Sequence, residues 1–328
     1  MTHFRFCAAL ALFLSSWGGV AHAGGAPITS APPAEPRAAQ VEAATPVGLV
    51  LNRDAPAKRI DLAPPRDSEL AALRTRNAVS ADRGRRVYSK ALAVGFGREI
   101  PAESRTLRLS KLTWVADGEG GRSARIEVRS PNARSIRIAM QMPATDPGLA
   151  VRFTGSAVGT QVFGPYQASA IVQDTHRFGQ FWSPVLEGEV ATIEFHARQG
   201  AAVDALTLTL PRIAHQMAGN GEMASLTAKT VSEIGQAQSC NIDVACVTPT
   251  SALYNARRAV AQLLIVNDDG GEYLCTGTLL NTVPTTNTPY LYTAGHCMKS
   301  AKAAHTLNTL WFFDAVNCNR TPFRRTSS

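Results

Sequence analysis

Cysteine is almost absent from the first two thirds of this chain. Of the 6 cysteines in 328 residues, Cys7 alone precedes Cys240. This scarcity excludes a disulfide-stapled scaffold and a cysteine-ligated metal site from that part of the chain. The cysteines and histidines form no Cys-x-x-Cys or His-Glu-x-x-His motif, so the sequence predicts no metal and no other cofactor.

Charge and long apolar runs are also limited. Lys and Arg total 33 against 25 Asp and Glu, which gives a formal net charge of +8. That excess is mild for this length and does not indicate a nucleic-acid partner. Beyond the N-terminal segment, no apolar run is long enough to span a bilayer. With 45% hydrophobic and 18% charged residues, the composition is typical of a globular protein of two or three domains.

The N-terminus has the features of a secretory signal peptide over residues 1–23. Arg5 supplies a positive charge, residues 6–13 form an apolar run, and Ala-His-Ala at 21–23 fits a small-x-small cleavage site. The alternative is an uncleaved membrane anchor, but the apolar run is short for a span. We therefore expect a secreted protein, extracellular or periplasmic, with no membrane attachment after cleavage.

The next segment, residues 24–87, is rich in Ala and Pro and shows little apolar periodicity. Such a segment buries too little surface to offset the entropy of ordering it. We expect a flexible leader here, with a short helix at 67–77.

Between about residues 88 and 210 the pattern changes to short alternating segments separated by turn residues. These segments are residues 124–129, 135–140, 190–196 and 205–210. Alternation with period two, broken at such spacing, predicts an antiparallel β-sandwich within an all-β protein. A connector, residues 211–235, follows this domain.

Residues 236–328 contain the cysteines from Cys240 onward and predict a separate, disulfide-stapled domain. An apolar strand at 290–293 leads into His296, which is flanked by small residues and followed by Cys297. Cys297 can bridge back to Cys275 and fix the position of the neighbouring ring. A general base needs such fixing, because it must stay within hydrogen-bond reach of its nucleophile.

These segments resemble the trypsin/chymotrypsin superfamily of serine proteases. Residues 293–297 (Thr-Ala-Gly-His-Cys) match the motif around the catalytic His of that family, and residues 275–280 match the preceding strand. Residues 239–246 (Ser-Cys-Asn-Ile-Asp-Val-Ala-Cys) resemble the start of the mature enzyme in the bacterial lysyl endopeptidase branch. The resemblance implies a propeptide-like sandwich at 88–210, then the first part of a trypsin-like barrel with His296 as its catalytic base.

The resemblance also implies how the cysteines pair. Cys275 is expected to bridge to Cys297, and Cys246 to Cys318. Cys240 is left unpaired, since its partner in the family lies in a part that is not present here.

One catalytic residue carries over from the family. His296 matches the base, whereas Asp314, the only acidic residue after it, comes too early for the orienting Asp. No Gly-Asp-Ser-Gly-Gly or Gly-Ser-Ser-Gly motif supplies the nucleophilic Ser. We therefore expect a secreted serine endopeptidase precursor that is truncated within its first barrel and inactive. In the full-length family the partner is a protein or peptide substrate.

A second interpretation is a secreted binding protein, in which the sandwich recognises a carbohydrate or a protein and the protease remnant is vestigial. Trp182 and Tyr166 could stack on a sugar, although such aromatic residues more often pack in a core. Either way, the strands of an incomplete barrel are expected to lack pairing partners. Those strands are residues 260–266, 273–280, 289–293 and 309–316.

Overall fold

The structure is a computed structural model of the chain. It describes residues 48–52, 55–77, 91–217, 244–280, 288–312, 314–318 and 320–324. The expected signal peptide, most of the expected leader and Cys240 lie outside the described residues. No helix within these ranges is long and apolar enough to cross a membrane.

Strands dominate the described residues, which confirms the all-β prediction. The strands, numbered β1 to β19 in chain order, are Ala57–Asp61, Leu92–Glu99, Thr106–Arg108, Val115–Ala116, Gly121–Arg129, Ser135–Met140, Leu149–Gly155, Val162–Gln167, Phe181–Trp182, Leu186–Glu187, Val190–Arg198, Thr207–Thr209, Arg212–Gln216, Val260–Val266, Glu272–Leu280, Tyr290–Thr293, Asn308–Trp311, Asp314–Asn317 and Arg320–Arg324. The helices, α1 to α5, are Asp67–Asn77, Ala102–Arg105, Ala168–Phe178, Ala252–Ala256 and Ala301–His305. Short 3-10 turns lie at Leu109–Lys111, Val244–Cys246 and Arg257–Ala259.

The first sheet has the order β1-β5-β11-β7-β8, with β4 also paired to β5. The alternating segments that predicted strands form its centre, where β5 and β11 pair antiparallel from Val190↔Arg129 to Arg198↔Gly121. Its edge strand β1 runs parallel to β5. The expectation of a flexible leader is therefore wrong for residues 57–61, because backbone pairing with β5 orders a segment that has no apolar periodicity of its own. The short helix expected at 67–77 is present as α1.

The second sheet has the order β10-β6-β13-β2-β15-β14-β17, and β9 and β16 pair with β6 and β15 respectively. Strand β13 lies between β6 and β2, with Ile213 paired to both Ile138 and Arg98. Placing the end of the sandwich at Leu210 and starting a connector there is therefore wrong for residues 212–216. Pro211 directly precedes this strand and explains the error, because a proline normally argues against a central strand.

The main core lies between these two sheets. Alternate residues of β5, β7 and β11 supply it, and α3 closes one side through the buried Ile171. Phe181 packs there against Phe153, with ring centroids 6.0 Å apart. Tyr166 also contacts this core, and Trp182 is only 8% exposed. Both aromatics therefore pack, which removes the observation that motivated the sugar-binding interpretation.

The strands of the C-terminal part do not lack partners. Strand β14 pairs with β15 and β17, and β16 pairs with β15. The first residues of β15 pair with β2, so that Glu272 lies opposite Gly95 and Leu274 opposite Leu92. The expectation of unpaired strands is wrong because the N-terminal domain supplies a neighbour for β15.

The chain end also differs from the prediction of one strand over 309–316. Strand β17 ends at Trp311, and Phe312 has a positive φ of 54° that turns the backbone. Strands β18 and β19 then form a separate hairpin, in which Asp314 pairs with Arg324. A left-handed residue cannot continue a strand, so the single expected strand divides here.

Gly97 in β2 lies under the turn that joins β14 to β15. A Cβ built on Gly97 would be 2.5 Å from the carbonyl oxygen of Asp269 and 2.9 Å from the Cα of Gly270. The turn itself is closed by Gly270 N–H, which donates to the carbonyl of Asn267 at 2.9 Å. Glycine is therefore needed at 97, because the neighbouring atoms belong to backbone and not to a flexible side chain.

We expect Gly97→Ala to lower the free energy of unfolding by roughly 1–3 kcal/mol, the usual effect of overpacking. Gly118→Ala is the matched control, because a Cβ on Gly118 meets nothing within 4 Å. Urea unfolding followed by circular dichroism measures both. Equal stability of the two variants would contradict the close approach of the turn to β2.

Candidate functional site

His296 lies in the turn that follows β16. Strand β16 is anchored to β15, since Thr293 pairs with Gly277 and its Oγ1 donates to the carbonyl of Thr276 at 2.7 Å. The backbone then turns, and Cys297 N–H donates to the carbonyl of Ala294 at 2.9 Å. His296 is exposed, whereas Cys297 is only 3% exposed. The turn thus holds its cysteine inward and presents its histidine to solvent.

A disulfide bridge lies directly beneath the histidine. The structure joins Cys275 of β15 to Cys297, with their Cα atoms 6.2 Å apart, and this is the pair that the resemblance implies. The bridge belongs to a small apolar cluster that includes Leu263 and Ile265 of β14 and Ala303 of α5. Packing on both sides therefore immobilises the residue next to His296.

Gly277 lets the strands around this bridge come close together. A Cβ there would lie 2.9 Å from Cδ1 of Leu263 and 3.2 Å from Cδ1 of Leu291. Leu263 and Leu291 thus fill the space above Gly277 from β14 and β16. The glycine matches the family motif Cys-Thr-Gly-Thr in the sequence, and the structure gives its physical role.

The second bridge joins Cys246 to Cys318, with Cα atoms 4.4 Å apart. It links the start of the C-terminal part to the turn after β18. It is also the pair that the resemblance implies. Cys240, predicted to be unpaired, lies outside the described residues.

Among the residues that the structure describes, the surroundings of His296 offer no metal site. A ring nitrogen of His296 and the sulfur atoms of Cys275 and Cys297 lie within 4.8 Å of one another. Both sulfurs belong to the disulfide, so neither is the thiolate that a zinc ion binds. In the part of the chain that the structure describes, no carboxylate pairs with His296. Asp314 begins strand β18.

A buried serine–histidine contact in the N-terminal domain has a structural role. Ser130 Oγ is 2.8 Å from Nδ1 of His215, and both residues are fully buried. Arg98 Nη1 donates to the same Oγ at 2.8 Å. Burial, with the nearby charge of Arg98, lowers the pKa of His215 to about 4. A neutral, enclosed imidazole of this kind packs the core, since no substrate can reach it.

Sequence reasoning missed a buried ion pair between the two parts of the chain. Arg137 of β6 lies 3.5 Å from Glu272 of β15, and their side chains are 1% and 0% exposed. The sequence did carry a signal for this pair, because β6 and β15 each contain a charged residue, Arg137 and Glu272. Alternation made Arg137 look like a solvent-facing position, because the pattern does not show that β6 has both faces covered.

Comparisons with known protein families and proteins agree with the resemblance found in the sequence. Residues 61–217 match the family model of the lysyl endopeptidase N-terminal domain, and residues 234–328 match that of the lysyl endopeptidase C-terminal domain. A lysyl endopeptidase of Pseudomonas aeruginosa (strain PAO1) is 30% identical over 234 residues, which is 69% of this chain and 48% of that protein. The chain therefore spans about half the length of this curated relative. No solved structure matches the chain.

We expect diethyl pyrocarbonate to modify His296 in the native protein and to leave His215 unmodified. His296 is exposed, whereas His215 is 0% exposed and its Nδ1 is hydrogen-bonded to Ser130 Oγ. Peptide mass spectrometry before and after urea unfolding measures both rates, and unfolding should make His215 reactive. Equal native rates at the two histidines would contradict the presentation of His296 on the surface.

Proposed function

Because the chain belongs to the lysyl endopeptidase-like protease family, we propose that it is the precursor of an exported serine endopeptidase of that type, with His296 as its general base. The observation that carries this proposal is the exposed imidazole held beside the Cys275–Cys297 bridge at the end of β16. A base in this position can accept the proton of an attacking Ser and return it to the leaving amine.

The geometry suits that role because it fixes the backbone around the ring and leaves the ring free to meet a substrate. Thr293 is tied to β15, and Cys297 is covalently tied to Cys275. Ser300 caps the N-terminus of the adjoining helix α5, because its Oγ accepts from Ala303 N–H at 3.1 Å. Both sides of the turn are therefore held, and such preorganisation is what proton transfer in a transition state requires.

We propose that this stretch of sequence does not hydrolyse peptides by itself. A base needs an activated nucleophile and oxyanion donors, and no Ser motif of the family occurs among the 328 residues. We further propose that residues 1–23 direct export and that the substrates are proteins cut at lysine. The lysine preference rests on the name of the Pseudomonas relative and of the two matching families.

A chimera tests the role of His296 directly. Residues 234–328 replace the matching segment of the Pseudomonas lysyl endopeptidase, and cleavage of a chromogenic lysyl peptide is measured. We expect the chimera to cleave this peptide and His296→Ala to lose about 10²–10⁴-fold in kcat, the usual contribution of a general base. The unaltered chain should neither cleave the peptide nor react with a fluorophosphonate.

His305→Gln is the matched control, because His305 lies nine positions further along, at the end of α5, and is also exposed. This variant should keep the activity of the chimera, and circular dichroism checks that each variant folds. Retained activity in His296→Ala, or fluorophosphonate labelling of the unaltered chain at one Ser, would overturn the proposal.

A further inference from the structure

The two parts of the chain that match separate family models meet in one continuous sheet. Strand β2 of the first part pairs with the start of β15 of the second part. Val94 and Val185 of the first part pack against Leu264 of β14. Trp182 and Ala214 similarly cover Val266. We call this contact, from β2, β6 and β13 to the β14–β15 hairpin, the junction.

The junction encloses one ion pair. Arg137 Nη1 lies 3.5 Å from Glu272 Oε1, and Arg137 Nε donates to the carbonyl of Ser183 at 2.9 Å. Glu272 Oε2 has no hydrogen-bond partner and is buried. A buried carboxylate with one oxygen unsatisfied, and with a single cation at 3.5 Å from the other, is poorly solvated. Protonation relieves that deficit, because a neutral carboxyl is far less costly to bury than its anion.

The other charged groups at the junction are already engaged. Asp269 and Tyr273, on the same hairpin as Glu272, both contact Arg76, and Arg76 Nη1 lies 2.7 Å from Asp269 Oδ2. Asp268 is paired with Lys302 at 3.7 Å. The charges of these groups are therefore balanced by one another, and none of these groups is paired with Glu272.

The elements that pack against Glu272 add little further charge. Gly95 of β2 and Val266 of β14 lie opposite it and carry no side-chain charge. His215 of β13 is bonded to Ser130 and stacks on Phe96. Arg137 of β6 is thus the charge that acts on Glu272 from across the junction.

We propose that the junction is a proton-sensitive contact, in which Glu272 takes up a proton when the N-terminal domain and the protease segment associate. The junction is then tightest in acidic solution and loosens as the pH rises to neutrality. This property goes beyond the proposed peptidase activity, because it concerns how the two domains hold each other and does not involve His296.

The sign of the effect follows from linkage. Burial raises the pKa of Glu272 from 4.5 to about 7, and Arg137 only partly opposes this. In the separated state the carboxyl is in water and returns towards its ordinary pKa. The stabilisation is therefore fully present below about pH 4.5 and is lost as the pH rises through about 7. For these two pKa values the dissociation constant should rise about 30-fold between about pH 5.5 and 8.5.

The test uses the full chain with a recognition site for a sequence-specific protease inserted between residues 218 and 243. Both disulfides of the described residues lie on the C-terminal side of this site, so a cut leaves the two parts joined only by non-covalent contacts, which are the junction and the contact of His305 with Asp174 and Phe178. Analytical ultracentrifugation of the cut protein gives the dissociation constant at each pH. Glu272→Gln mimics the protonated carboxyl, and Glu103→Gln, at an exposed position of α2, is the matched control.

We expect the cut wild type and Glu103→Gln to dissociate more readily as the pH rises. The cut Glu272→Gln protein should remain tightly associated at pH 8.5, with less than about a threefold change over the range. Infrared difference spectra of the uncut chain provide a second readout that does not need cutting. A protonated carboxyl band near neutral pH should be present in the wild type and absent from Glu272→Gln.

Two results would overturn the proposal. One is a dissociation constant of the wild type that does not change with pH. The other is an equal pH dependence in the wild type and in Glu272→Gln, which would assign the effect to a group other than Glu272. Neither result bears on the peptidase assay, so failure of this proposal and failure of the proposed function are distinguishable.

Discussion

The antiparallel pairing of β2 with the first residues of β15 is the contact on which the rest of the structure depends. It extends the N-terminal sheet into the C-terminal part, and it brings Arg137 and Glu272 together where water is excluded. The apolar contacts of Val94 and Trp182 with the β14–β15 hairpin add to the same surface. Without this pairing, β2 and β15 would each lose a neighbouring strand.

The candidate site depends on this pairing through β15. Its first half pairs with β2 and its second half pairs with β16, while Cys275 lies between the two halves. Cys275 in turn holds Cys297, and Cys297 fixes the turn that carries His296. A continuous line of covalent and hydrogen bonds therefore runs from the N-terminal domain to the imidazole. Helix α5, which follows the turn, also contacts the N-terminal domain, because His305 stacks on Phe178 with ring centroids 4.1 Å apart.

Sequence reasoning identified what is encoded locally and missed what depends on distant pairing. Strands β5, β6 and β11 follow from alternation, and His296 follows from a motif around a cysteine. Strand β2 was missed because Gly95 and Gly97 interrupt its apolar pattern, although the structure needs Gly97 for close approach of a turn. Strand β1 has no apolar periodicity and is ordered by its neighbour β5. Arg137 and Glu272 lie more than a hundred positions apart, and local periodicity does not show that they meet.

Native-state hydrogen exchange of the full chain tests most directly whether the N-terminal domain and the protease segment form one cooperative unit. The amides to follow are those of β2 at residues 92–95 and of β15 at residues 272–274, which pair with each other. If the junction holds the two parts together, these amides should open with the same free energy and respond equally to urea. Exchange of the β15 amides at a much lower opening free energy, with β2 still protected, would show that the protease segment opens independently and would contradict this account.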